Sequence, residues 1–166
     1  MNLVELAVQH ALQIHSIVEN AGDKSASDRL RSRVRSLPSL VSDVGLVQAL
    51  LFYLSKAGES EKLYKDAYNV FAKSGSLSDN AKIDEKGSYA VVAAAVFHAI
   101  SSVMNKIDFQ NNISPEDIEG AIRMLDTIIK GGLEVRLQRR LHDYLITLKR
   151  AGEALLPSRE SGGGES

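Results

Sequence analysis

The sequence predicts an all-α protein, a single-domain helical bundle of about six or seven helices. Apolar residues recur at three- and four-residue steps along most of the chain, which is typical of amphipathic helices. Glycine, proline and capping residues separate these segments, and two of the segments are apolar on nearly all sides. A chain of 166 residues buries about 70% of its unfolded surface. We expect the bundle to span residues 1–156 and a flexible, glycine-rich tail to span residues 157–166.

The stretch over residues 37–56, LPSLVSDVGLVQALLFYLSK, is predicted to form the centre of the bundle. The part from Val44 to Leu54 has apolar residues on almost every face, so it should be a buried helix surrounded by others. Pro38 fits the first turn of a helix, because its missing N–H would be unpaired there anyway. Gly45 marks either a break between two helices or a close crossing of backbones.

A second all-round apolar helix is predicted over residues 89–107, packed against the first. Both segments are shorter than the roughly 20 consecutive apolar residues that a membrane span needs. If both are enclosed, Phe52 and Val96 should face the interior. A helix over about residues 60–73 and a long polar connection over residues 74–88 separate the two.

The first helix begins at Asn2, a residue type that caps helix N-termini. His10 lies on its apolar stripe and His15 lies off it, so the two histidines do not share a face. We interpret them as a packed, hydrogen-bonded histidine and a surface one, against the alternative of a metal-binding pair.

The segment Ser114-Pro115-Glu116-Asp117 predicts another helix start, with Ser114 as the cap and carboxylates near the positive end of the dipole. Ile122 and Ile129 are expected on the inward stripe of that helix, which should end at Gly131-Gly132. The last helix is predicted from Leu133 to about Leu155.

Composition excludes several classes of protein. Lys and Arg total 20 and Asp and Glu total 21, so the formal net charge is −1. A free-standing nucleic-acid binder is usually basic overall, so any nucleic-acid contact must come from a local patch. The chain has no cysteine, which excludes disulfides, thiolate metal sites and a cysteine nucleophile. The N-terminus lacks the pattern of a signal peptide, and we expect a soluble, cytoplasmic protein.

Positive charge is concentrated in two places. Arg29, Arg31, Arg33 and Arg35 fall within seven residues of one predicted helix. They form either a solvated face with partners elsewhere in the fold or a patch that contacts phosphates. Arg136 and Arg140 lie one turn apart on the last helix. They are either basic residues that suit the negative, C-terminal half of a helix or a second patch that contacts phosphates.

The motifs of common enzyme classes are missing. The sequence has no phosphate-binding glycine loop, no dinucleotide fingerprint and no nucleophile elbow. His142-Asp143 spells the dipeptide of the helical HD phosphohydrolases, but no aspartate follows Asp143, so the ligand set of that class cannot close. We therefore predict no catalytic residue, no metal site and no cofactor.

The central stretch resembles a known family, the small helical subunit of the type III-B CRISPR effector, the Cmr RNA-guided complex. The resemblance rests on the pattern Leu-Pro-x-Leu-Val-x-x-x-Gly-Leu-x-Gln-Ala-Leu-x-Phe-x-x-Ser-Lys over residues 37–56. It covers about an eighth of the chain.

The resemblance implies an all-α bundle without enzymatic activity, whose copies stack into a short filament beside the backbone subunits of the complex. Such a subunit helps to hold guide and target RNA through their phosphates, without reading bases. The family pattern suggests Lys56 as an RNA contact, and charge clustering adds Arg29, Arg31, Arg33, Arg35, Arg136 and Arg140. The alternative is a protein-only adapter that docks acidic surfaces of partner subunits. Neither hypothesis involves a membrane or a small-molecule substrate.

Overall fold

The computed structural model describes residues 1–77, 81–104 and 113–158. These ranges contain seven α-helices and no strand, so the predicted all-α bundle is confirmed. The helices are α1 (Leu3–Asn20), α2 (Ala26–Val44), α3 (Leu46–Ala57), α4 (Glu61–Lys73), α5 (Glu85–Met104), α6 (Ile118–Lys130) and α7 (Glu134–Leu155).

The predicted central stretch is two helices joined at Gly45, the C-terminal half of α2 and the whole of α3. Gly45 has φ +90°, a conformation that costs little only for glycine. The break between helices that the sequence allowed is therefore what forms. The interpretation of Pro38 as a helix start is wrong, since Pro38 lies inside α2. Its ring removes one backbone hydrogen bond within that helix, and burial of Leu37 and Val41 holds the helix together around it.

The expectation that α3 is enclosed on all sides is wrong. Leu46, Leu50 and Leu54 are buried, but the Phe52 side chain is 43% exposed and Val44 is 49% exposed. Phe52 meets Tyr89 edge to face with ring centroids 5.8 Å apart, so part of its ring is packed although the side chain remains exposed. Apolar residues on every face of α3 therefore do not mean that every face is buried.

Helix α5 is the enclosed helix of the bundle. Its buried residues run from Gly87 to Met104 with few interruptions, and Val96 is fully buried as expected. It packs against α2, α3 and α4. The helix is long and apolar enough to cross a membrane by composition, but 83% of the relevant window is buried by the protein itself. It is the core helix of this fold.

Helices α2 and α7 lie antiparallel and in close contact. Glu134 at the start of α7 accepts a hydrogen bond from the Val47 N–H just past the end of α2, at 3.0 Å. At the other end, Gly152 faces Val34, and a β-carbon there would come within 2.7 Å of a Val34 methyl. Glycine at 152 thus lets the two backbones approach, and a shallow groove runs between the helices on their outer side.

The start of α6 differs from its prediction. Asp117, rather than Ser114, is the N-cap, and its side chain accepts the Gly120 N–H at 2.7 Å. The helix begins at Ile118 and ends at Lys130, before the glycine pair, as expected. Ile122 and Ile129, predicted to face inward, are 46% and 56% exposed. Met124 takes the buried position instead, because α6 is covered on a narrower face than its apolar pattern suggests.

The polar connection after α4 is shorter than predicted. Helix α5 begins at Glu85, so Ser88 lies within it and is buried. The predicted continuation of this helix over residues 105–107 lies outside the described residues, as does the predicted tail of residues 157–166 from residue 159 onward. The helices predicted at about 60–73 and 133–155 form within one residue of their expected bounds.

Candidate nucleic-acid interface

The four arginines of α2 are held in different ways. Arg29 forms an ion pair with Asp23 and donates to the Ile83 carbonyl at 3.0 Å. These contacts fasten the start of α2 to the segment that leads into α5. A guanidinium has five N–H donors, so one that is tied on one edge can still donate from another.

Arg31 caps the far end of α7. Its guanidinium donates to the carbonyls of Glu153 and Leu156, the latter at 3.0 Å. The last carbonyls of a helix have no partners within it, and a cation suits the negative end of the dipole. Arg31 therefore has a structural role where α2 meets α7.

Arg33 lies over an aromatic cluster that the sequence analysis did not identify. Its guanidinium carbon is 4.1 Å from the centroid of the Tyr89 ring, and an N–H donates to the Tyr89 hydroxyl. The Tyr53 hydroxyl donates to the Arg33 carbonyl at 2.7 Å, and the Tyr53 and Tyr89 rings meet edge to face. Burial raises the pKa of Tyr53, while the nearby Arg33 charge opposes that shift. Helical periodicity places these tyrosines near the core, but it does not reveal which cation they meet.

Arg35 is the exposed member of the four. It lines a surface cavity of about 300 Å³ together with Arg31, Ser32, Asp28 and Ser158. An acidic residue therefore shares the face that the sequence analysis expected to be positive. The patch remains open to solvent on the Arg35 side.

Lys56 lies in the last turn of α3, as predicted, and is exposed. Its ammonium nitrogen is 5.5 Å from the centroid of the Phe52 ring, within the range of a cation–π contact. Lys56 and Phe52 thus form a small exposed surface, with the charge held near an aromatic face.

Arg136 and Arg140 are both exposed on the N-terminal half of α7. Arg140 lines a cavity of about 380 Å³ with Gln9 of α1 and His98 of α5. The arginines of α2 instead meet α5 and the C-terminal end of α7. The structure therefore does not bring the two arginine clusters into one site.

A buried histidine network lies between α1, α5 and α7. His10 Nδ1 is 2.7 Å from the Tyr144 hydroxyl, and His10 Nε2 is 2.9 Å from His98 Nδ1. Burial and the proximity of His98 lower the pKa of His10 to about 3. The interpretation of His10 as a packed, hydrogen-bonded histidine is confirmed. His15 lies at the surface beside Glu19, at 3.3 Å.

The described residues offer little support for catalysis. In those parts of the chain, no group of three or more histidine and acidic side chains is placed to hold a metal ion. His142 and Asp143 are both exposed, and consecutive residues point about 100° apart on a helix. Asp117 is occupied as a helix cap, which agrees with the structural interpretation of the acids at that helix start.

The fold and surface define an all-α bundle with separate exposed basic positions. A family model described as "CRISPR-associated protein (Cas_Cmr5)" matches residues 6–155. The chain belongs to that family, and the resemblance that the central stretch suggested is confirmed.

Known relatives agree with this assignment. The chain is 26% identical over 151 residues to the CRISPR system CMR subunit Cmr5 of Saccharolobus solfataricus, covering 90% of this chain and 92% of that protein. A chain of a type III-B Cmr-beta complex bound to non-cognate target RNA superposes with a TM-score of 0.64 at 21% identity, covering 92% of this chain and 97% of that one. A chain of the complex bound to cognate target RNA and AMPPnP gives 0.65 at 18% identity, with 93% and 99% covered. These two likenesses establish the fold.

Proposed function

We propose that this protein is the non-catalytic small subunit of a type III-B Cmr ribonucleoprotein complex in antiviral, RNA-guided defence in the cytoplasm. The family match over residues 6–155 carries the proposal. The relative in Saccharolobus solfataricus is a CMR subunit, and both similar solved chains come from Cmr complexes with target RNA. We propose that the subunit stacks beside the backbone subunits and contacts guide and target RNA through phosphates.

The exposed cations are the main candidates for RNA contacts. Arg35, Lys56, Arg136 and Arg140 all face solvent on helices, where they can meet phosphates without a pocket. Arg29, Arg31 and Arg33 stay in the proposed set with a smaller expected contribution, because each already uses N–H groups within the fold. Weak contacts from a near-neutral subunit gain strength in an assembly through effective concentration.

Stacking of copies into a short filament is supported by two exposed apolar surfaces. One is a strip on α1 at four-residue spacing, formed by Val4, Val8 and Leu12. The other, here called the α6–α7 surface, comprises Ile122 and Ile129, which are seven residues apart on one face of α6, and Val135 in the first turn of α7, which is 65% exposed. Two different apolar surfaces suit a head-to-tail arrangement, which continues into a filament when the rotation between copies does not close.

The RNA proposal can be tested in the assembled complex with Arg35→Gln, Arg136→Gln and Arg140→Gln combined. Each phosphate that the variant no longer binds should reduce the slope of log affinity on log salt by about 0.7 for a single strand. RNA binding is measured by filter retention from 50 to 200 mM salt. Glutamine keeps much of the side-chain length, so packing along α7 should survive.

Lys62→Gln, Lys65→Gln and Lys130→Gln combined provide the matched control, since all three lysines are exposed on other helices. The control complex should keep the wild-type slope. An unchanged slope in the arginine variant, together with crosslinks from RNA to neighbouring subunits but never to this chain, would favour the protein-only adapter with arginines on acidic partner surfaces.

A further inference from the structure

The groove between α2 and α7 has the features of an anion-binding site. Its central part is a cavity of about 270 Å³. The α2 side is lined by Pro38, Ser39, Val41 and Ser42, and the α7 side by Gln138, His142, Leu145, Ile146 and Lys149. None of these residues belongs to the RNA contacts proposed above. His142 is the histidine of the His142-Asp143 dipeptide, to which we assign no catalytic role.

The polar groups that line this cavity can all donate hydrogen bonds. They comprise two serine hydroxyls, the Gln138 amide, the His142 imidazole and the Lys149 ammonium. The Gln138 Oε1 accepts the Leu46 N–H at 3.1 Å, so the oxygen is already used and the amide nitrogen is the end that remains to donate. A neutral imidazole also has one N–H, so donation does not require a charged histidine.

Among the described residues, no carboxylate lines this cavity, although acids lie close by in sequence. Asp43 and Asp143 follow Ser42 and His142 directly and therefore point to other faces of their helices. Glu134, one turn before Gln138, accepts the Val47 N–H at 3.0 Å. The lining thus combines one permanent positive charge with neutral donors, a composition that favours a phosphate over a cation.

The groove also continues toward an exposed arginine. Arg35 is one helical turn before Ser39, and the distance along α2 from Arg35 to Ser42 is about 10 Å at 1.5 Å per residue. Arg35 lines a second cavity of about 300 Å³, together with Arg31, Ser32, Ser158 and one carboxylate, that of Asp28. A linear series of donors of this length fits a strand with repeated phosphates better than a single small anion.

We infer that the α2–α7 groove binds the phosphodiester backbone of an RNA strand, with one phosphate among Ser39, Ser42, Gln138, His142 and Lys149 and the next near Arg35. The inference rests on the proposed function and identifies the face of the subunit that RNA follows. No base edge is read, which agrees with contacts to phosphate alone.

The first experiment uses the assembled complex with Lys149→Gln, and Lys62→Gln as the matched control on α4. Lys149→Gln should reduce the slope of log affinity on log salt by about 0.7 for each phosphate that it no longer binds, and Lys62→Gln should leave the slope unchanged. For one phosphate, the difference corresponds to roughly a threefold smaller decrease of affinity between 50 and 200 mM salt. Thermal unfolding of each free variant checks that the fold is retained.

The second experiment titrates the full chain, labelled with ¹⁵N, with a uridine oligonucleotide or with a glutamate peptide of equal charge. RNA should shift the backbone amides of Ser39, Ser42 and His142, and these shifts should disappear in Lys149→Gln. Shifts caused by the peptide but not by RNA would overturn the inference in favour of an acidic protein partner. A wild-type slope in Lys149→Gln and in Arg35→Gln, with a reduced slope in an Arg136→Gln and Arg140→Gln variant, would overturn the groove while supporting the proposed function. If removal of the whole subunit left the slope of log affinity on log salt unchanged, both the groove and the proposed RNA contacts would be overturned.

Discussion

The histidine network shows how one buried residue links stability to pH. His10 is completely buried and touches Tyr144, His98 and the Phe71 ring, whose centroid is 4.9 Å away. In the unfolded chain the pKa of a histidine is about 6.5. In the folded chain, burial and the neighbouring His98 lower the pKa of His10 to about 3. The folded protein therefore keeps His10 neutral where the unfolded chain would protonate it.

This difference predicts the direction of acid destabilisation. As the pH falls below about 6.5, the unfolded chain binds a proton that the folded chain excludes, so the free energy of unfolding falls. We expect His10 to reduce stability by about 2 kcal/mol between pH 6.5 and 5, with a further reduction down to about pH 3. Urea unfolding across this pH range measures the effect.

His15→Gln is the control for this prediction, because His15 lies at the surface beside Glu19, apart from the contacts of His10 with Tyr144 and His98. The variant should retain the wild-type dependence of stability on pH. Proton–carbon NMR spectra of the imidazoles provide the direct check. A His10 ring that titrates near pH 6.5 in the folded protein would contradict the assignment.

At the scale of helices, two glycines should respond in opposite ways to the same substitution. Gly152 lies where α7 meets α2, and a β-carbon there would come within 2.7 Å of a Val34 methyl. Gly58 follows α3 with a right-handed helical conformation, and nothing lies within 4 Å of its β-carbon position. Gly152→Ala should therefore destabilise the protein by about 1–3 kcal/mol through overpacking.

Gly58→Ala should stabilise the protein by about 0.4–1 kcal/mol, because alanine reduces the freedom of the unfolded chain without strain in the folded one. Both variants gain the same methyl group, so the difference between their free energies of unfolding reports on the packing of α2 against α7. Chemical unfolding measures both values. A Gly152→Ala protein as stable as wild type would show that α2 and α7 can separate slightly without cost, and that they pack more loosely than described.

The sequence predicted helices better than it predicted which of their faces are covered. Asn2, Gly45 and the Gly131-Gly132 pair set helix ends through local chemistry, so they could be identified from the sequence. Phe52 and Ile129 could not be placed, because exposure depends on which neighbours reach a given face. An apolar residue on the outside of a helix has the same periodicity as one that meets another helix.

Two local signals were misread, one because packing outweighed it and one because the sequence offered two equivalent caps. Pro38 disfavours a helix interior by about 3 kcal/mol, yet α2 continues through it, since Leu37 and Val41 on the same helix are buried against the core. Ser114 is an adequate cap, but Asp117 caps the helix instead and accepts the Gly120 N–H. Ser114 and Asp117 both suit an N-cap, and the sequence alone does not choose between them.

The sequence identified the arginines of the candidate interface but not the partners that they have in the fold. Clustering identifies Arg29, Arg31, Arg33 and Arg35 as one group, but the fold gives them separate tasks. Arg31 caps α7 from a distance of more than one hundred residues in sequence. Such long-range partners leave no trace in local spacing. Lys149 and His142 can be assigned to the groove only once the structure places α2 beside α7.

At the scale of the whole molecule, the two exposed apolar surfaces allow the mode of self-association to be tested. The α1 strip contains Val4, Val8 and Leu12, and the α6–α7 surface contains Ile122, Ile129 and Val135. If the strip of one copy meets the α6–α7 surface of the next, each copy has one free surface of each kind and growth continues. If only one of the surfaces binds, and it meets its own kind, association stops at closed pairs.

Two variants distinguish these arrangements. Val8→Glu with Leu12→Glu should disable the α1 strip, and Ile129→Glu should disable the α6–α7 surface, because a buried unpaired carboxylate strongly opposes association. In a head-to-tail filament neither variant grows alone, but a mixture retains one intact strip and one intact α6–α7 surface. Sedimentation should then show monomers for each variant and dimers, without larger species, for the mixture. Because these side chains are exposed in the monomer, the substitutions should leave its fold intact. Dimers formed by one variant alone would indicate like-with-like contacts, and monomers in the mixture would mean that these surfaces do not bind each other.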